Sequence, residues 1–498
     1  MIDRYADSKI YKIWTDGEKL LLWKKTELAV IKAREKLGVF LEGIFDHIQK
    51  ALQDSPIDFV WWKKREDEVH HDLNAFLDER RRFIPLEYQQ YFHKNMTSYD
   101  TEESAFLRML NSSFSVVEET GEDFITSLKE RAVQHRYTVM FGRTHGQAAE
   151  LQSFGKRCLT WLKAFEESWG ELKHAEEKLR YSKISGAIGN YGGIDPVVEE
   201  HALKELGFKP FYGATQILPR ENFLPLAGAL LQVMLSLEKI ALDIRLGARS
   251  GCPIYQEPFG KKQKGSSAMP HKKNTILTEN VQGMARLARG YFDAIRENLV
   301  TWEERSIEQS SVERVAWPDL FHVVILSLKR MTKVLKGLVV YQDNMMKEIA
   351  ESRGCYASNE AKELLKEIGV RFGIDGEIAY RIVQLAAFNV FEPSKNMKRI
   401  REAVNRSFED ADALLRSYEW PDEEEEEPRP ISIEAAIMCA ELEYTDQLDI
   451  SEEEVSDWND ALRKIFSNSI PCEKWREIFT ISHLLRYEDK LYEEILSV

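Results

Sequence analysis

Cysteine is scarce in this chain, and its placement excludes two kinds of scaffold. The five cysteines, Cys158, Cys252, Cys355, Cys439 and Cys472, are odd in number, widely scattered and free of any CxxC pair. Neither a disulfide framework nor a zinc site follows from such spacing, and no metal is expected. Basic residues are outnumbered: Lys and Arg total 68 against 83 Asp and Glu, a net charge of -15. That balance argues against general nucleic-acid binding, and it requires any anionic substrate to find a locally basic pocket. Long apolar runs are missing too. The longest charge-free apolar segment, 223–237, is interrupted by Pro225, Gly228 and Gln232. It falls short of the ~18 residues of a membrane span, so a buried helix is expected there and no membrane partner. The opening MIDRYADSKIYKIW carries charges where a secretory signal carries a continuous apolar stretch, which makes a cytoplasmic protein the expectation. Strand-like alternation is rare, and no internal repeat stands out.

What the chain does have is helical periodicity. Its 498 residues, 43% hydrophobic and 30% charged, exceed a typical single core and suggest two or three domains. Leu20, Leu21, Trp23, Leu28, Ile31 and Ala33 form one broad face, and Phe154, Leu159, Leu162 and Phe165 recur at helical spacing further on. The stretch 325–349 repeats the pattern. The segment 226–246 is apolar nearly all round in its first half, which places it at the centre of a bundle or at a subunit interface. Polar breaks fall near 97–100, at Gly354, and at an acidic run between prolines, 421–430, that reads as a solvated linker. Near the carboxyl end, Leu484, Leu485, Leu491 and Ile495 form a stripe that either docks back on the protein or meets a partner. Docking back is the commoner use of such a stripe.

Chemistry concentrates in a few loops. Gly265-Ser-Ser-Ala-Met-Pro-His-Lys-Lys-Asn274, followed by Glu279, sets two hydroxyls behind a glycine, stiffens the turn with proline, and follows with a lysine and an asparagine two positions apart. Three further clusters interrupt helical stretches: Thr97-Ser98-Tyr-Asp100, Gly142-Arg-Thr-His145-Gly-Gln147, and Arg305 with Ser310-Ser-Val-Glu313-Arg314. Taken singly, Ser and Thr clusters commonly cap helices.

Together and in this order they resemble the fumarase/aspartase superfamily, whose signature is GSSxMPxKxN, and within it the adenylosuccinate lyase family. The resemblance covers roughly residues 1 to 405. It includes Arg4-Tyr5, His71-Asp72, the TSxD cluster, RTHGQ, KISGAIGNY at 183–191, GSSAMPHKKN, SSVER at 310–314 and AYRIVQ at 379–384. It implies an all-α fold of three helical domains: 1–110, a central long-helix bundle 111–350 carrying the signature loop 261–280, and 351–498 with the acidic linker and an unmatched tail. It implies a homotetramer whose active sites combine residues of three subunits.

The activity implied is β-elimination releasing fumarate from adenylosuccinate, leaving AMP, and from the succinylated aminoimidazole carboxamide ribotide of purine biosynthesis. No cofactor is implied. Ser266 matches the base, His145 the general acid, and Glu279 the carboxylate that orients it; His71 matches a second histidine beside the phosphate end. Lys272 and Asn274 match the holders of the substrate carboxylate. Thr97, Ser98, Gln147 and Gln216 match ligand contacts. Arg305, Ser310 and Arg314, with Arg4 and Tyr5, match the phosphate end, a reading that favours a phosphorylated aminosuccinate, and Asp72 matches a further substrate contact. The competing expectations are a lyase for another aminosuccinate, such as argininosuccinate, and a catalytically silent scaffold or metabolite-binding homologue.

The chain departs from the family pattern at several places. His70 stands where the family has Arg, and Ser306-Ile-Glu308-Gln309 replaces Asp-Leu-Ser-His. The family's RDR becomes Arg220-Glu221-Asn222, while Ala148 and Thr275 replace prolines.

Overall fold

The structure is a computed structural model that describes residues 1–391 and 432–496; the acidic run 421–430 lies outside the described residues. Helices dominate. The periodic stretch near the amino terminus forms α1 (Asp16–Lys36), opened by the Thr15 hydroxyl, which accepts from the Glu18 N–H. Next come α2 (Phe59–Val69) and α3 (Asp72–Arg81), with Asp72 in the first turn of α3 and Arg80 and Arg81 in its last, the signs that favour each end. The helix α4 (Ser98–Gln134) is 37 residues long. It is followed by α5 (Phe154–Glu176), α6 (Pro196–Leu206), α7 (Leu224–Gly247), α8 (Ile276–Glu297) and α9 (Glu308–Gly337).

The chain forms two compact units. One comprises Met1–Arg131, Cys158–Arg249 and Tyr255–Val339; the other comprises Ala132–Arg157, Ser250–Ile254 and Val340–Val498. In the first, α7, α8 and α9 pack on one another, and α1 packs on α6. Leu226, Leu230, Val233, Leu237 and Ile244 of α7 are buried, each side chain contributing about 1.5–3 kcal/mol. The proline read as an interruption opens α7 instead: Pro225 occupies its first turn, where a missing N–H costs nothing. Length and composition alone would let Arg220–Gly247 cross a membrane, longer than the sequence pattern suggested, yet half of its most apolar window is buried inside the protein. Leu235, Leu242 and Leu246 of α7 remain exposed.

The second unit contains a hairpin that periodicity did not reveal, β1 (Val139–Thr144) paired antiparallel with β2 (Gln147–Ser153). Its helices include α10 (Gln342–Glu351), α11 (Ser358–Gly369), α12 (Gly376–Phe391), α13 (Ile433–Met438), α14 (Glu452–Asn468) and α15 (Glu488–Leu496). Its larger core joins Leu365, Ile382, Leu385, Ile437, Leu462 and Trp475. The carboxyl-terminal stripe docks within this unit. Leu484 and Leu485 pack on Phe141, Leu151 and Ile349, and Tyr492 is buried with its hydroxyl 3.3 Å from the Ala132 carbonyl, whereas Leu491 stays exposed.

Candidate active site

Two helices carry most of the polar machinery of the first unit, and each divides it between two faces. On α4, Ser98 and Glu102 line a cavity, while on α9 Ser310 and Arg314 line the same one. Both pairs are spaced i,i+4, so each shares one side of its helix. The residues one position earlier or later turn to a buried arginine. Arg220 donates to Glu103 at 3.1 Å and to Glu313 at 2.9 and 3.0 Å. Burial works against its charge, but Glu103 and Glu313 hold the guanidinium above its ordinary range. Gln309 donates to the Tyr99 hydroxyl and to Glu313. The altered Arg220-Glu221-Asn222 segment thus retains an arginine that clamps α4 to α9.

The cavity has a volume of about 370 Å³, and His71, Asp72, Gln216 and Arg305 also line it. Arg305 lies with its guanidinium 3.9 Å from the centre of the Tyr99 ring and donates to Gln216 Oε1 at 2.9 Å. Its Nε is buried without a hydrogen-bond partner, a donor that an anion would satisfy. Arg314 donates to Asp72 at 2.8 Å, and Lys19 stands 3.7 Å from the same carboxylate. Gln216 spends its amide nitrogen on the Ala187 carbonyl at 3.2 Å. His71 caps α3, its Nδ1 3.4 Å from the Asn74 N–H it accepts. In the neutral tautomer that accepts at Nδ1, the proton is on Nε2. Glu102 lines this cavity as well; burial first, and then the Asp72 carboxylate, push its carboxyl up to about 7 against Arg305, Arg314 and Lys19.

Below Ser98, the TSxD cluster is a helix start. The Thr97 N–H donates to Asp100 at 2.9 Å, the acid reaching back over the first turn. Asp100 is fully buried, pairs with Lys183 at 2.7 Å and accepts from the Gly186 N–H at 3.1 Å. Lys183 also donates to the carbonyls of Gly186 and Gln216. This Lys183–Asp100 pair ties the KISGAIGNY segment to the start of α4.

In the signature loop, Ser266 Oγ accepts from the backbone N–H groups of Ala268 at 3.3 Å and Met269 at 3.1 Å. Two amides on one hydroxyl oxygen favour negative charge there. The loop closes on itself: Asn274 donates to the Gly265 carbonyl at 2.9 Å, and a Cβ on Gly265 would meet the Lys272 carbonyl oxygen at 1.9 Å. Only glycine fits. Lys272 is exposed. Behind the loop, buried Glu257 accepts from the N–H groups of Leu277 and Thr278, serving as the cap of α8 in place of Thr275, whose side chain makes no capping bond. Glu279 is 3.4 Å from Arg245 of α7 and accepts from the Thr275 hydroxyl.

His145 belongs to the second unit, at the tip of the β1–β2 hairpin. Thr144 pairs with Gln147, so His145 and Gly146 form a two-residue turn with φ of 53° and 81°. Such turns need positive φ at both central residues, usually Asn-Gly or Gly-Gly. A histidine held in that conformation costs of order 1 kcal/mol or more. The tip is exposed, and the ladder beneath it shifts register between Phe141 and Arg143. Arg143 pairs with Glu348 of α10.

Of the residues singled out from sequence, the first unit gathers His71, Asp72, Ser98, Gln216, Arg305, Ser310 and Arg314 around one cavity. Ser266, Lys272 and Asn274 share the signature loop, and Glu279 stands in the first turn of the helix after it. Thr97 donates its backbone N–H at the start of α4 and is not among the residues lining the cavity. Arg4 and Tyr5 are not among the residues lining the cavity; Tyr5 lies beside Asn280 of α8, its hydroxyl at 3.5 Å, and under Arg330 of α9. Sequence reasoning missed Glu102, Glu103, Lys183 and Glu257. The two adjacent acids just after the TSxD cluster were the available signal for the first two.

A family model described as a lyase matches residues 1–290. An adenylosuccinate lyase of Synechocystis is 38% identical over 387 residues, 78% of this chain and 88% of that protein. One of Thermotoga maritima is 36% identical over 396 residues, 80% of this chain and 90% of that protein. In fold, a beta-carboxy-cis,cis-muconate cycloisomerase of Acinetobacter calcoaceticus superposes with a TM-score of 0.74 at 18% identity, covering 99% of this chain and 98% of that one.

Proposed function

Because this chain belongs to the adenylosuccinate lyase family of the fumarase/aspartase superfamily, we propose that it releases fumarate from adenylosuccinate to give AMP. The succinylated aminoimidazole carboxamide ribotide of purine biosynthesis is the second substrate of this reading. Ser266 takes a proton from the carbon next to a substrate carboxylate. The C–H electron pair becomes the new C=C bond, the C–N bond breaks, and His145 protonates the departing nitrogen. A serine is a poor base unless its oxyanion is stabilised, and the Ala268 and Met269 amides on its oxygen support that role. Lys272 and Asn274 hold the carboxylate on which negative charge develops.

The observation that carries the substrate choice is the cavity where Arg305, Ser310 and Arg314 converge. Two guanidiniums and a hydroxyl suit a phosphate. We extend the reading to three helical domains, 1–110, 111–350 and 351–498, to a cytoplasmic location, and to a homotetramer whose subunits share active sites. Exposed Leu235, Leu242 and Leu246 on α7 support the assembly, since a second copy would cover that stripe. Arg4 and Tyr5 then serve the phosphate end of another subunit's site.

The full chain is expected to release fumarate from adenylosuccinate and not from argininosuccinate. Arg314→Ala removes a charge-assisted bond worth about 1.5–3 kcal/mol and is expected to raise KM roughly ten- to a hundredfold. Turnover of argininosuccinate that ignores Arg314→Ala would transfer the reading to a phosphate-free substrate.

A further inference from the structure

Glu102 is a carboxyl without a partner in a cavity suited to an anion. Among the described residues no hydrogen bond or ion pair engages it, although Arg314, on the same cavity wall, pairs with Asp72. It also lines a second cavity of about 310 Å³, and Glu66, Ser310 and Arg314 are the other residues common to both. The carboxyl therefore stands at the junction of the two spaces, beside the groups an incoming anion would use.

We propose that Glu102 sets the anion preference of this clamp by taking a proton from solvent whenever a dianionic group binds beside it. This rests on reading Arg305, Ser310 and Arg314 as an anion clamp. The charges facing Glu102 come from every side: Asp16 and Lys19 from α1, Lys63 and Glu66 from α2, His70 and His71 from the turn between α2 and α3, and Asp72 from the start of α3. Arg305 precedes α9, whose Glu313 is occupied by Arg220, and Tyr99 is Glu102's neighbour on α4.

Burial, and then the Asp72 carboxylate, push this carboxyl up to about 7. A dianion adds negative charge beside it and occupies the guanidiniums that favoured its ionised form, so in the complex the carboxyl holds its proton to higher pH. Affinity is then full below about pH 7. It falls by up to about tenfold per pH unit above that, until the carboxyl of the complex also ionises. His70 and His71 line the same cavity, and Glu102→Gln, a permanent mimic of the neutral carboxyl, isolates the share of Glu102.

Sulfate, which remains a dianion throughout, is the first probe, and AMP the second. Calorimetric titration of the full chain between pH 6 and 9, in paired buffers of different ionisation enthalpy, counts the protons taken up. The expected result at pH 8 is uptake approaching one proton per sulfate. Glu102→Gln should show none from this source and should bind more tightly than the unaltered chain at pH 8.5. No proton uptake by the unaltered chain at pH 8, or the same pH slope in Glu102→Gln, overturns the proposal. The buffer-pair measurement needs no variant and decides even if Glu102→Gln does not fold. Fumarate release without proton uptake would sink the role of Glu102 alone, whereas proton uptake without fumarate release would sink only the lyase reading.

Discussion

Buried charge organises this site residue by residue, and little of it can be read from sequence. Glu313 and Arg314 are adjacent and look like one exposed helical face, yet Glu313 is buried on Arg220 while Arg314 projects into the cavity. The difference is one step of about 100° around α9, invisible until the neighbouring helices are placed. Lys183 and Asp100 are more hidden still, both at 0% exposure. Their pairing crosses 83 positions, and the motif that contains Lys183 names no partner. Removing one member of a buried pair leaves an uncompensated charge and costs about 3–5 kcal/mol. Lys183→Met is accordingly expected to lower the denaturant midpoint of the first unit by an amount equivalent to that energy. An unchanged unfolding curve would show that the Thr97 and Gly186 amides alone satisfy Asp100. The residues proposed to carry the reaction, Ser266, His145 and Lys272, were singled out because the ten-residue signature and RTHGQ name them as a set.

At the scale of elements, helices announced themselves and the hairpin did not. The face through Leu20, Trp23 and Ile31 became α1, with all three side chains buried. By contrast, 139–153 offers only short apolar ends, Met140-Phe141 and Leu151, around a polar middle, and its turn lacks an Asn-Gly or Asp-Gly pair. Packing of Phe141 and Leu151 on Ile349 stabilises the strands, a contact between distant segments. The turn then sets a limit on what can replace His145. Asparagine tolerates positive φ and keeps the hairpin, but cannot donate a proton as an acid. His145→Asn is expected to preserve the far-UV spectrum and lower kcat by about 10²–10⁴-fold. Near-normal kcat with His145→Asn would remove His145 from the role of acid.

For the whole molecule, composition and periodicity pointed to helices in more than one compact part, and the family relationship supplied the fold. The interleaving of the two compact units along the chain was not legible. Each of the two units is assembled from three stretches of chain, and the shorter pieces, Ala132–Arg157 and Ser250–Ile254, sit between segments of the other unit in sequence. Linear punctuation marks such as Gly354 cannot show a chain that leaves a unit and returns. The central claim spans all of these scales: the chain is a lyase whose proton abstraction is assigned to Ser266. Fumarate release from adenylosuccinate by the purified full chain, measured beside Ser266→Ala at saturating substrate, tests it most directly. The expected result is ready release by the unaltered chain and a kcat about 10²–10⁴-fold lower in the folded variant. Equal turnover by the two, or no fumarate from either, would contradict it.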